Sequence, residues 1–307
     1  MKRILVIGSL NLDMVVNVDH TPVVGETILS DRMELIPGGK GANQACAAGR
    51  LGGHVTMLGA VGDDMYGEIL MKSLGAAGGD MKGIVRKQEE PTGIALITVN
   101  RDGDNCIVVV SGANGALSCK DIDNHMDLLK EADIVLFQLE IPLETVCYGA
   151  REAKRLGKTV ILDPAPVPKE FPKELYSYVD IIKPNETELQ MLTGIGDVEN
   201  HLAKACGYLK GQGVKNILVT LGGKGGYLDS EESGTCRIPA VLVEAVDTTA
   251  AGDSFTAALA VMLADGKGLR EAAVFANYVS GIVVTRKGAQ SSIPTLDEVR
   301  RFMGSGI

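Results

Sequence analysis

A short segment near the C-terminal end of the chain combines a helix start, an unhindered backbone and a carboxylate. It reads Asp247-Thr248-Thr249-Ala250-Ala251-Gly252-Asp253-Ser254-Phe255, and apolar residues at helical spacing follow it. We therefore expect a helix to begin here, with Thr248 or Thr249 as its N-cap. The small residues Ala250, Ala251 and Gly252 leave the first N–H groups of this helix open. An anion such as a phosphate could bind there, since the helix dipole also favours negative charge.

Asp253 would lie in or near the first turn of the same helix. A carboxylate in this position can accept a proton from a hydroxyl group that attacks phosphorus. An acidic residue in a first turn also complements the helix dipole without any catalytic role. The residue alone supports both interpretations about equally, so the decision depends on other segments of the chain.

A second segment, Pro37-Gly38-Gly39-Lys40-Gly41-Ala42-Asn43-Gln44-Ala45, lies directly before an Ala-rich helical run. Glycines at this density indicate a tight turn or a close approach of the backbone to a ligand. The spacing GxxxxGK[ST] is missing, and GxGxxG occurs nowhere in the chain, which disfavours the two common nucleotide motifs. Lys40 and Asn43 could donate hydrogen bonds to a hydroxylated ligand. Considered alone, the segment is better explained as a Gly-rich turn capped by Asn43.

Polar residues also follow two predicted strands at their carboxyl ends. Asn11 and Asp13 follow the first strand, and Glu140 follows the strand predicted at 134–139. Open α/β sheets bind ligands at this edge, and carboxylates and amides can each hold sugar hydroxyls in fixed directions. Each residue alone is better explained as a loop cap. Several at one edge favour a polyol site.

Two later turns could contact a nucleotide. In Pro184-Asn185-Glu186-Thr187-Glu188, Asn185 and Glu188 form a capping-box pattern, but they could also lie near a hydrated Mg²⁺ held mostly by phosphates. Thr220-Leu221-Gly222-Gly223-Lys224-Gly225-Gly226 ends a strand in a glycine-dense turn. Either a nucleotide approaching the backbone or a plain hairpin into Tyr227 explains this turn.

The elements that must position these residues alternate between strands and helices, which predicts an α/β fold with a doubly wound, mostly parallel sheet flanked by helices. We expect strands at 3–7, 55–60, 134–139, 160–162, 181–183 and 217–221. Helices are expected at 143–156, 186–192, 201–211, from 249 onward, at 269–285 and at 296–302.

Two segments, about 11–36 and 92–111, interrupt this alternation with short β-rich runs. The runs are 14–18, 26–29, 33–36, 93–99 and 107–110, and Asp102-Gly103 is a strong hairpin signal. Together they predict a small antiparallel sheet beside the main domain, acting as a lid. So small a sheet is marginal alone and should pack on the same sheet of a second subunit. The alternative is an extra antiparallel edge on the main sheet.

The composition of the chain argues against several classes of protein. The 307 residues carry a net charge of −9, no Trp and 4% aromatic residues, which argues against a nucleic-acid partner. The six cysteines are scattered without a CxxC pair, as expected of reduced thiols in the cytoplasm. No stretch approaches the length of a membrane span. The N-terminal apolar run is too short for a signal peptide and is better explained as a buried strand.

Taken jointly, these motifs resemble the ribokinase family of carbohydrate kinases. The similarity covers essentially the whole chain in order, through segments at 8–13, 38–45, 138–140, 184–188, 247–253 and 285–290. The segment 250–253 is specific to that family. The resemblance implies one ribokinase-like domain over 1–307, with the lid inserted from about 11–36 and 92–111. It also supports a homodimer formed through the lid.

The resemblance further implies ATP-dependent phosphorylation of the 5-hydroxyl of D-ribose, giving ribose 5-phosphate and ADP. Asp253 would be the general base, and the backbone of Ala250, Ala251 and Gly252 would form an anion hole. The residues expected at the sugar are Asn11, Asp13, Gly39, Lys40, Asn43, Glu140 and Asp253. Those expected along the nucleotide are Asn185, Thr220, Gly222, Gly223, Gly225, Gly252 and Asn277. A related kinase of deoxyribose, fructose or a nucleoside is the alternative, and a silent sugar- or nucleotide-binding regulator is a second.

Two cations are implied by the same resemblance. Glu188 would help to place Mg²⁺, through water. A monovalent cation, usually K⁺, would be held by oxygen atoms of Asp247, Thr249, Val283, Arg286, Gly288 and Ser292. Gly223 and Asn277 occupy positions where relatives often carry Ser and His, so the contacts to adenine should differ in detail.

Overall fold

The structure is a computed structural model that describes residues 1–304, and within these residues thirteen strands form two separate sheets. The strands are β1 (Arg3–Ile7), β2 (Asn11–Asn17), β3 (Met33–Gly38), β4 (His54–Gly62), β5 (Asp80–Lys87), β6 (Gly93–Val99), β7 (Asn105–Val110), β8 (Ile134–Phe137), β9 (Thr159–Leu162), β10 (Ile181–Ile182), β11 (Asn216–Thr220), β12 (Gly226–Ser230) and β13 (Gly234–Ile238).

Ten α-helices connect or cover these strands within the same residues. They are α1 (Lys40–Arg50), α2 (Met65–Ala76), α3 (Cys119–Asn124), α4 (Met126–Glu131), α5 (Leu143–Arg155), α6 (Glu186–Thr193), α7 (Leu202–Gly211), α8 (Ala251–Ala264), α9 (Leu269–Val283) and α10 (Leu296–Gly304). All six strands and six helices expected from the sequence are present, with bounds shifted by at most two residues at nearly every end.

The main sheet confirms the predicted fold class. Its nine strands lie in the order β13-β12-β11-β10-β9-β8-β1-β4-β5, and the seven strands from β11 to β5 pair in parallel. Only β12 and β13 pair antiparallel, at one edge. β1 has β4 on one side and β8 on the other, so the direction of winding reverses beside it. Sheets of this kind bind ligands at such a reversal.

Strand β1 shows why helices are needed on both faces of this sheet. Ile4 and Val6 point to one face and join the apolar cluster formed with α1, α2, α8 and α9. Leu5 and Ile7 point to the other face and join the cluster formed with α4, α5, α6 and α7. Because successive side chains of a strand alternate in direction, an unbroken apolar run is buried on both sides.

The small sheet contains four strands in the order β3-β2-β6-β7, and it takes its strands from the two segments that the sequence set apart. Its outer pairs, β2 with β3 and β6 with β7, are antiparallel, whereas the central pair, β2 with β6, is parallel. The prediction of a strand at 26–29 was wrong, because that run lies in an exposed loop between β2 and β3. The lid segments also do not extend the main sheet, whose antiparallel edge comes from β12 and β13.

A glycine pair tests how closely α1 packs on the strand ends. A Cβ at Gly41, in α1, would lie 2.6 Å from the backbone N of Ser9, whereas a Cβ at Gly207, in α7, would meet nothing within 4 Å. We expect Gly41→Ala to destabilise the fold by about 1–3 kcal/mol, because backbone atoms cannot rotate away. Gly207→Ala should stabilise it by about 1 kcal/mol, through helix propensity alone.

The measurement is the free energy of unfolding from urea titrations of the two variants and the native chain. Effects of the same sign in both variants would contradict the packing described for Gly41.

Candidate active site

The start of α8 differs from the predicted helix start. The helix begins at Ala251, and its N-cap is Ala250, which has a left-handed backbone with φ of 60° and no capping side chain. The N–H and Oγ1 of Thr249 both donate to Oδ1 of Asp247, at 2.9 and 2.6 Å. The prediction that Thr248 or Thr249 caps the helix was therefore wrong, since the nearby carboxylate engages the Thr249 hydroxyl instead.

Of the three N–H groups predicted to bind an anion, that of Ala251 is already bonded, whereas those of Ala250 and Gly252 have no acceptor among residues 1–304. The N–H of Ala251 donates to the carbonyl oxygen of Thr248, and that of Ser254 donates to Ala250. Within residues 1–304, the N–H groups of Gly252 and Asp253 have no such acceptor. A non-glycine residue in a left-handed conformation costs about 1 kcal/mol or more, and such strain is concentrated at functional sites. The strained turn thus leaves backbone N–H groups available to an anion.

The carboxylate of Asp253 is buried and held from α1. Asn43 donates from Nδ2 to Oδ2 of Asp253 at 2.9 Å, and Gln44 donates from Nε2 to Oδ1 at 3.2 Å. Two donors fix the carboxylate plane beside the open N–H groups. The starts of α1 and α8 therefore meet at one point, as a general base next to an anion site requires.

The residues expected at the sugar surround the same point. Oε2 of Glu140 accepts from the backbone N–H of Lys40 at 3.1 Å and from Oγ of Ser9 at 2.5 Å. Gly39 has φ of 86°, and a Cβ there would lie 2.6 Å from the backbone N of Asn11. Only glycine combines this backbone with so close an approach. The turn before α1 is thereby packed against the start of β2.

The charges on this side of the site act strongly on one another. Burial, with further contributions from Glu140 and Asp253, raises the pKa of Asp13 to about 7. Burial acts to lower the pKa of Lys40, but the carboxylates of Asp253, Asp163 and Glu140 outweigh it and raise that pKa. Lys40 is thus a permanent cation among carboxylates, and Asp13 is poised to change charge near neutral pH.

A pocket of about 560 Å³ opens on the other side of Asp253. Every residue that was expected along the nucleotide lines it, together with Glu188 and residues 250–253 of the α8 start. Lys40 and Asp253 also line it, so they belong to both halves of the site. Val241, Val243 and Ala245 add apolar surface from the segment after β13. The polar region formed by the residues expected at the sugar and this partly apolar pocket therefore meet at Asp253.

Comparison with known proteins places this geometry in a family. The model of the pfkB family of carbohydrate kinases matches residues 1–296. The chain is 39% identical to a ribokinase of Haemophilus influenzae and 35% identical to a deoxyribokinase of Salmonella typhi, each over 98% of both chains. Among solved structures, that of Arabidopsis thaliana ribokinase with ribose and ATP aligns with a TM-score of 0.93, at 35% identity and 98% coverage of both chains.

The chain is a pfkB-family carbohydrate kinase. The family resemblance that the motifs indicated is thereby confirmed, and so is a kinase fold of the ribokinase type.

The kinase has a loop of oxygen atoms beside the α8 start, where a monovalent cation was expected. Oδ2 of Asp247 accepts from the N–H of Gly288 at 2.8 Å, which ties the segment before α8 to the segment after α9. Ser292 is buried, and its Oγ donates to the carbonyl of Ala289 at 2.7 Å. Burial acts to raise the pKa of Asp247, but the hydrogen bonds from Thr249 and Gly288 outweigh it and hold that pKa below its ordinary value. Asp247 is therefore anionic.

The capping interpretation of Asn185 and Glu188 is also correct for this kinase. Oδ1 of Asn185 accepts from the N–H of Glu188, and Oε2 of Glu188 accepts from the N–H of Asn185, each at 2.8 Å. Asn277 donates to the carbonyl of Pro239 and so holds the loop that lines the pocket.

Four polar residues of the site were missed by sequence reasoning. Asp163 and Lys183 form a buried ion pair at 3.0 Å, and Gln44 donates to Asp163 at 3.1 Å. Asn114 clamps the start of β2 by accepting from the N–H of Leu10 and donating to its carbonyl, each at 2.9 Å. Asp163 and Lys183 each follow a parallel strand, so the rule that identified Glu140 could have found them. No comparable signal marked Asn114.

Neither a metal-binding cluster nor a membrane-spanning helix is present among residues 1–304. In the part of the chain that the structure describes, His, Cys, Asp and Glu side chains form no cluster of three or more that could bind a metal. Within residues 1–304, no helix is long and apolar enough to cross a membrane.

The raised pKa of Asp13 predicts a stability that depends on pH. The folded pKa of about 7 exceeds the ordinary 3.8, so folding opposes ionisation of this carboxyl group. The destabilisation is absent below about pH 4, grows as pH rises and is complete above about pH 7. We expect Asp13→Asn to be more stable than the native chain at pH 8 by about 1–3 kcal/mol, with the difference vanishing near pH 4.

The measurement is the free energy of unfolding of both proteins at pH 4 and pH 8. Asp31→Asn, in an exposed loop, is the control and should show no such dependence. A difference between Asp13→Asn and the native chain that stays the same at both pH values would contradict the raised pKa.

Proposed function

We propose that this kinase transfers the γ-phosphoryl group of ATP to the 5-hydroxyl of D-ribose, giving ribose 5-phosphate and ADP. One observation carries the proposal: the buried carboxylate of Asp253 lies between the polar half of the site and the 560 Å³ pocket, beside the open N–H groups of Gly252 and Asp253 itself. Support also comes from the ribokinase of Haemophilus influenzae and from the solved ribokinase that contains ribose and ATP.

In the proposed reaction, Asp253 accepts the proton of the sugar hydroxyl as its oxygen attacks the γ-phosphorus. A bond forms between that oxygen and phosphorus, and the bond from phosphorus to the β,γ-bridging oxygen breaks, leaving this oxygen on ADP. The N–H groups of Gly252 and Asp253 and the ammonium of Lys40 offset the charge that develops on the transferred group.

Asn11 is proposed to recognise the 2-hydroxyl of ribose. Its Oδ1 accepts from Nδ2 of Asn114 at 2.8 Å, which orients the amide so that its NH₂ group is the part left to donate. Within residues 1–304 that NH₂ group has no acceptor. A deoxy sugar would leave it unpaired, and a site built for a hydroxyl rejects an analogue that lacks it. Deoxyribose still is the first alternative, because the deoxyribokinase of Salmonella typhi is 35% identical to this chain.

We propose that the remaining sugar and nucleotide residues act as their positions in the two halves suggest. Asp13, Gly39, Lys40, Asn43 and Glu140 would hold the sugar. Along the pocket, Asn185, Thr220, Gly222, Gly223, Gly225, Gly252 and Asn277 would contact ATP. Gly222 and Gly225 have φ of 52° and 84°, so the turn after β11 exposes backbone to the pocket without side chains in the way.

Mg²⁺ and K⁺ are proposed as cofactors. Glu188 lines the pocket, but both of its oxygens are engaged by Asn185, which suits contact with Mg²⁺ through water. When bound, Mg²⁺ would neutralise phosphate charge. For K⁺, the anionic Asp247, the Ser292 hydroxyl and the backbone oxygens of Thr249, Val283, Arg286 and Gly288 form an oxygen-only donor set, which fits a hard cation. It would brace the loop that precedes the anion-binding turn.

The lid is proposed to form a homodimer. All six residues of β7 are exposed, and Ile107, Val108, Val109 and Val110 are exposed by 44–61%. An exposed apolar edge strand favours pairing with an identical strand. Sedimentation of the purified chain at twice the monomer mass supports this, and a monomer at micromolar concentration contradicts it.

We also propose that the chain is a single domain with this lid inserted, and that it acts in the cytoplasm. Its six cysteines are all unpaired, as is usual in a reducing compartment.

The experiment that tests the proposed function is a substrate panel. ADP formation from ATP and Mg²⁺ is measured with D-ribose, deoxyribose, fructose and nucleosides, each with and without K⁺. D-ribose should give the highest kcat/KM. A chain that produces no ADP with D-ribose in the presence of K⁺ is not the proposed enzyme.

Replacing the general base should abolish turnover without abolishing sugar binding. Asp253→Asn keeps the size of the side chain but cannot accept the proton, so we expect kcat to fall by roughly 10²–10⁴-fold. The dissociation constant for D-ribose, from calorimetry, should change by less than about fivefold, because Asp253 is one of several polar residues there. A variant with native kcat would remove Asp253 from this role.

The cation loop predicts a specific loss of K⁺ activation. Asp247→Ala removes the only charged ligand of the proposed set, so we expect the concentration of K⁺ for half-maximal activation to rise at least about tenfold. Asp265→Asn, at the opposite end of α8, is the control and should respond to K⁺ as the native chain does. Activation profiles of Asp247→Ala and the native chain that coincide would exclude this loop as the K⁺ site.

A further inference from the structure

A buried ion pair that has no part in the proposed reaction lies next to Asp253, one side chain away through Gln44. Nζ of Lys183 is 3.0 Å from Oδ2 of Asp163, and the two side chains are 4% and 3% exposed. Asp163 follows β9 and Lys183 follows β10, so both lie at the carboxyl edge of the main sheet. Both residues line the wall of the pocket.

Gln44 connects this ion pair to the catalytic carboxylate. Its Nε2 donates to Oδ2 of Asp163 at 3.1 Å and to Oδ1 of Asp253 at 3.2 Å, one proton for each carboxylate. Its Oε1 accepts from Nε2 of Gln138 at 2.7 Å. Because Gln138 engages the oxygen, the Gln44 amide is held with its NH₂ group towards the two carboxylates.

The same ion pair also reaches the anion-binding turn. The carbonyl oxygen of Gly252 accepts from Nζ of Lys183 at 3.4 Å and from Oγ1 of Thr256 at 3.1 Å. This carbonyl and the open N–H of Asp253 belong to one planar peptide unit. Fixing the oxygen therefore fixes the direction of that N–H.

The ion pair of Asp163 and Lys183 is not expected to contribute much to the stability of the fold. Ion pairs taken out of water often contribute less than apolar side chains of the same size, and burial indeed raises the pKa of Asp163 although Lys183 opposes it. Among residues 1–304, the buried side-chain atoms without a hydrogen-bond partner are Asn43 Oδ1, Gln138 Oε1, Asp163 Oδ1 and Ser254 Oγ. Gln138 and Asp163 belong to the polar cluster around Gln44. Asn43 is bonded to Asp253, and Ser254 follows it in the sequence. A partly satisfied polar cluster destabilises a core, so its presence beside Asp253 points to function.

We propose that Asp163, Lys183 and Gln44 form a positioning unit that orients the Asp253 carboxylate and the peptide unit between Gly252 and Asp253 for phosphoryl transfer. Asp163 and Lys183 line the pocket, but the proposed reaction gives them and Gln44 no bond to either substrate. They act through Asp253 and the peptide unit, and are therefore positioning residues and not catalytic ones. The inference rests on the proposed function and adds the residues that make its geometry precise.

The test separates positioning from folding by removing both charges together. Asp163→Asn and Lys183→Met each leave one buried charge unpaired and should lower Tm, whereas the double variant leaves none and should recover Tm. If the pair positions Asp253, kcat of the double variant stays about 10- to 100-fold below the native value, because small misplacements are costly. KM for D-ribose and ATP should stay within about threefold, because substrate contacts remain.

A matched control is the ion pair of Lys210 and Asp229, whose residues do not line the pocket. The double variant Lys210→Met/Asp229→Asn should keep native kcat whatever its Tm. Gln44→Met provides a second arm with both charges in place. It should lower kcat about tenfold or more with KM unchanged, since the connection between the ion pair and Asp253 is lost.

The outcomes are distinct. Native kcat in a folded Asp163→Asn/Lys183→Met variant overturns the proposal. If that variant does not fold, native kcat in Gln44→Met overturns it instead. The native chain is assayed alongside, so an absence of D-ribose phosphorylation in the native protein contradicts the proposed function and not the positioning unit.

Discussion

The hydrogen bonds from Asn43 and Gln44 to Asp253 are the interaction on which the rest of the site depends. They join residues 210 and 209 positions apart in the chain, and they bring together the starts of α1 and α8. The parallel sheet makes this possible, because the helices that follow or precede its strands place their N-termini near the same edge. Gly41 contributes by allowing α1 to contact the backbone after β1. The catalytic geometry is thus a property of helix packing on the sheet.

The electrostatics of the site carry a cost in stability. Asp13 and Asp163 are both held where ionisation is disfavoured, chiefly by burial and in part by other carboxylates. Lys40 and Lys183 compensate this charge without removing it. A site that binds a polyol on one side and polyphosphate on the other needs acceptors and cations within a few ångströms, and the fold concentrates them where the sheet winding reverses.

The sequence alone predicted the fold class, the bounds of six main-sheet strands and six helices, and residues that line the pocket. It did not predict β5, β13, α2, α3 or α4. Strand β1 was located because an apolar run of this length must be buried, and Glu140 because polar residues after parallel strands share one edge. Asn185 was correctly read as an N-cap, since capping depends on residues three positions apart. These features are local in the chain or follow from strand order. They can therefore be predicted from the residue types and their spacing in the sequence.

Only the tertiary structure decided how those residues are held. Thr249 does not cap α8, because Asp247, fixed in turn by Gly288 from beyond α9, engages its hydroxyl. The parallel pairing of β2 with β6 depends on two segments about 80 residues apart and on no local signal. The links from Gln44 to Asp163 and Asp253 span more than a hundred residues each. Composition and spacing identify the residues that are able to act in the site. Packing decides which of them are in contact, because contacts between distant segments produce no periodic pattern in the sequence.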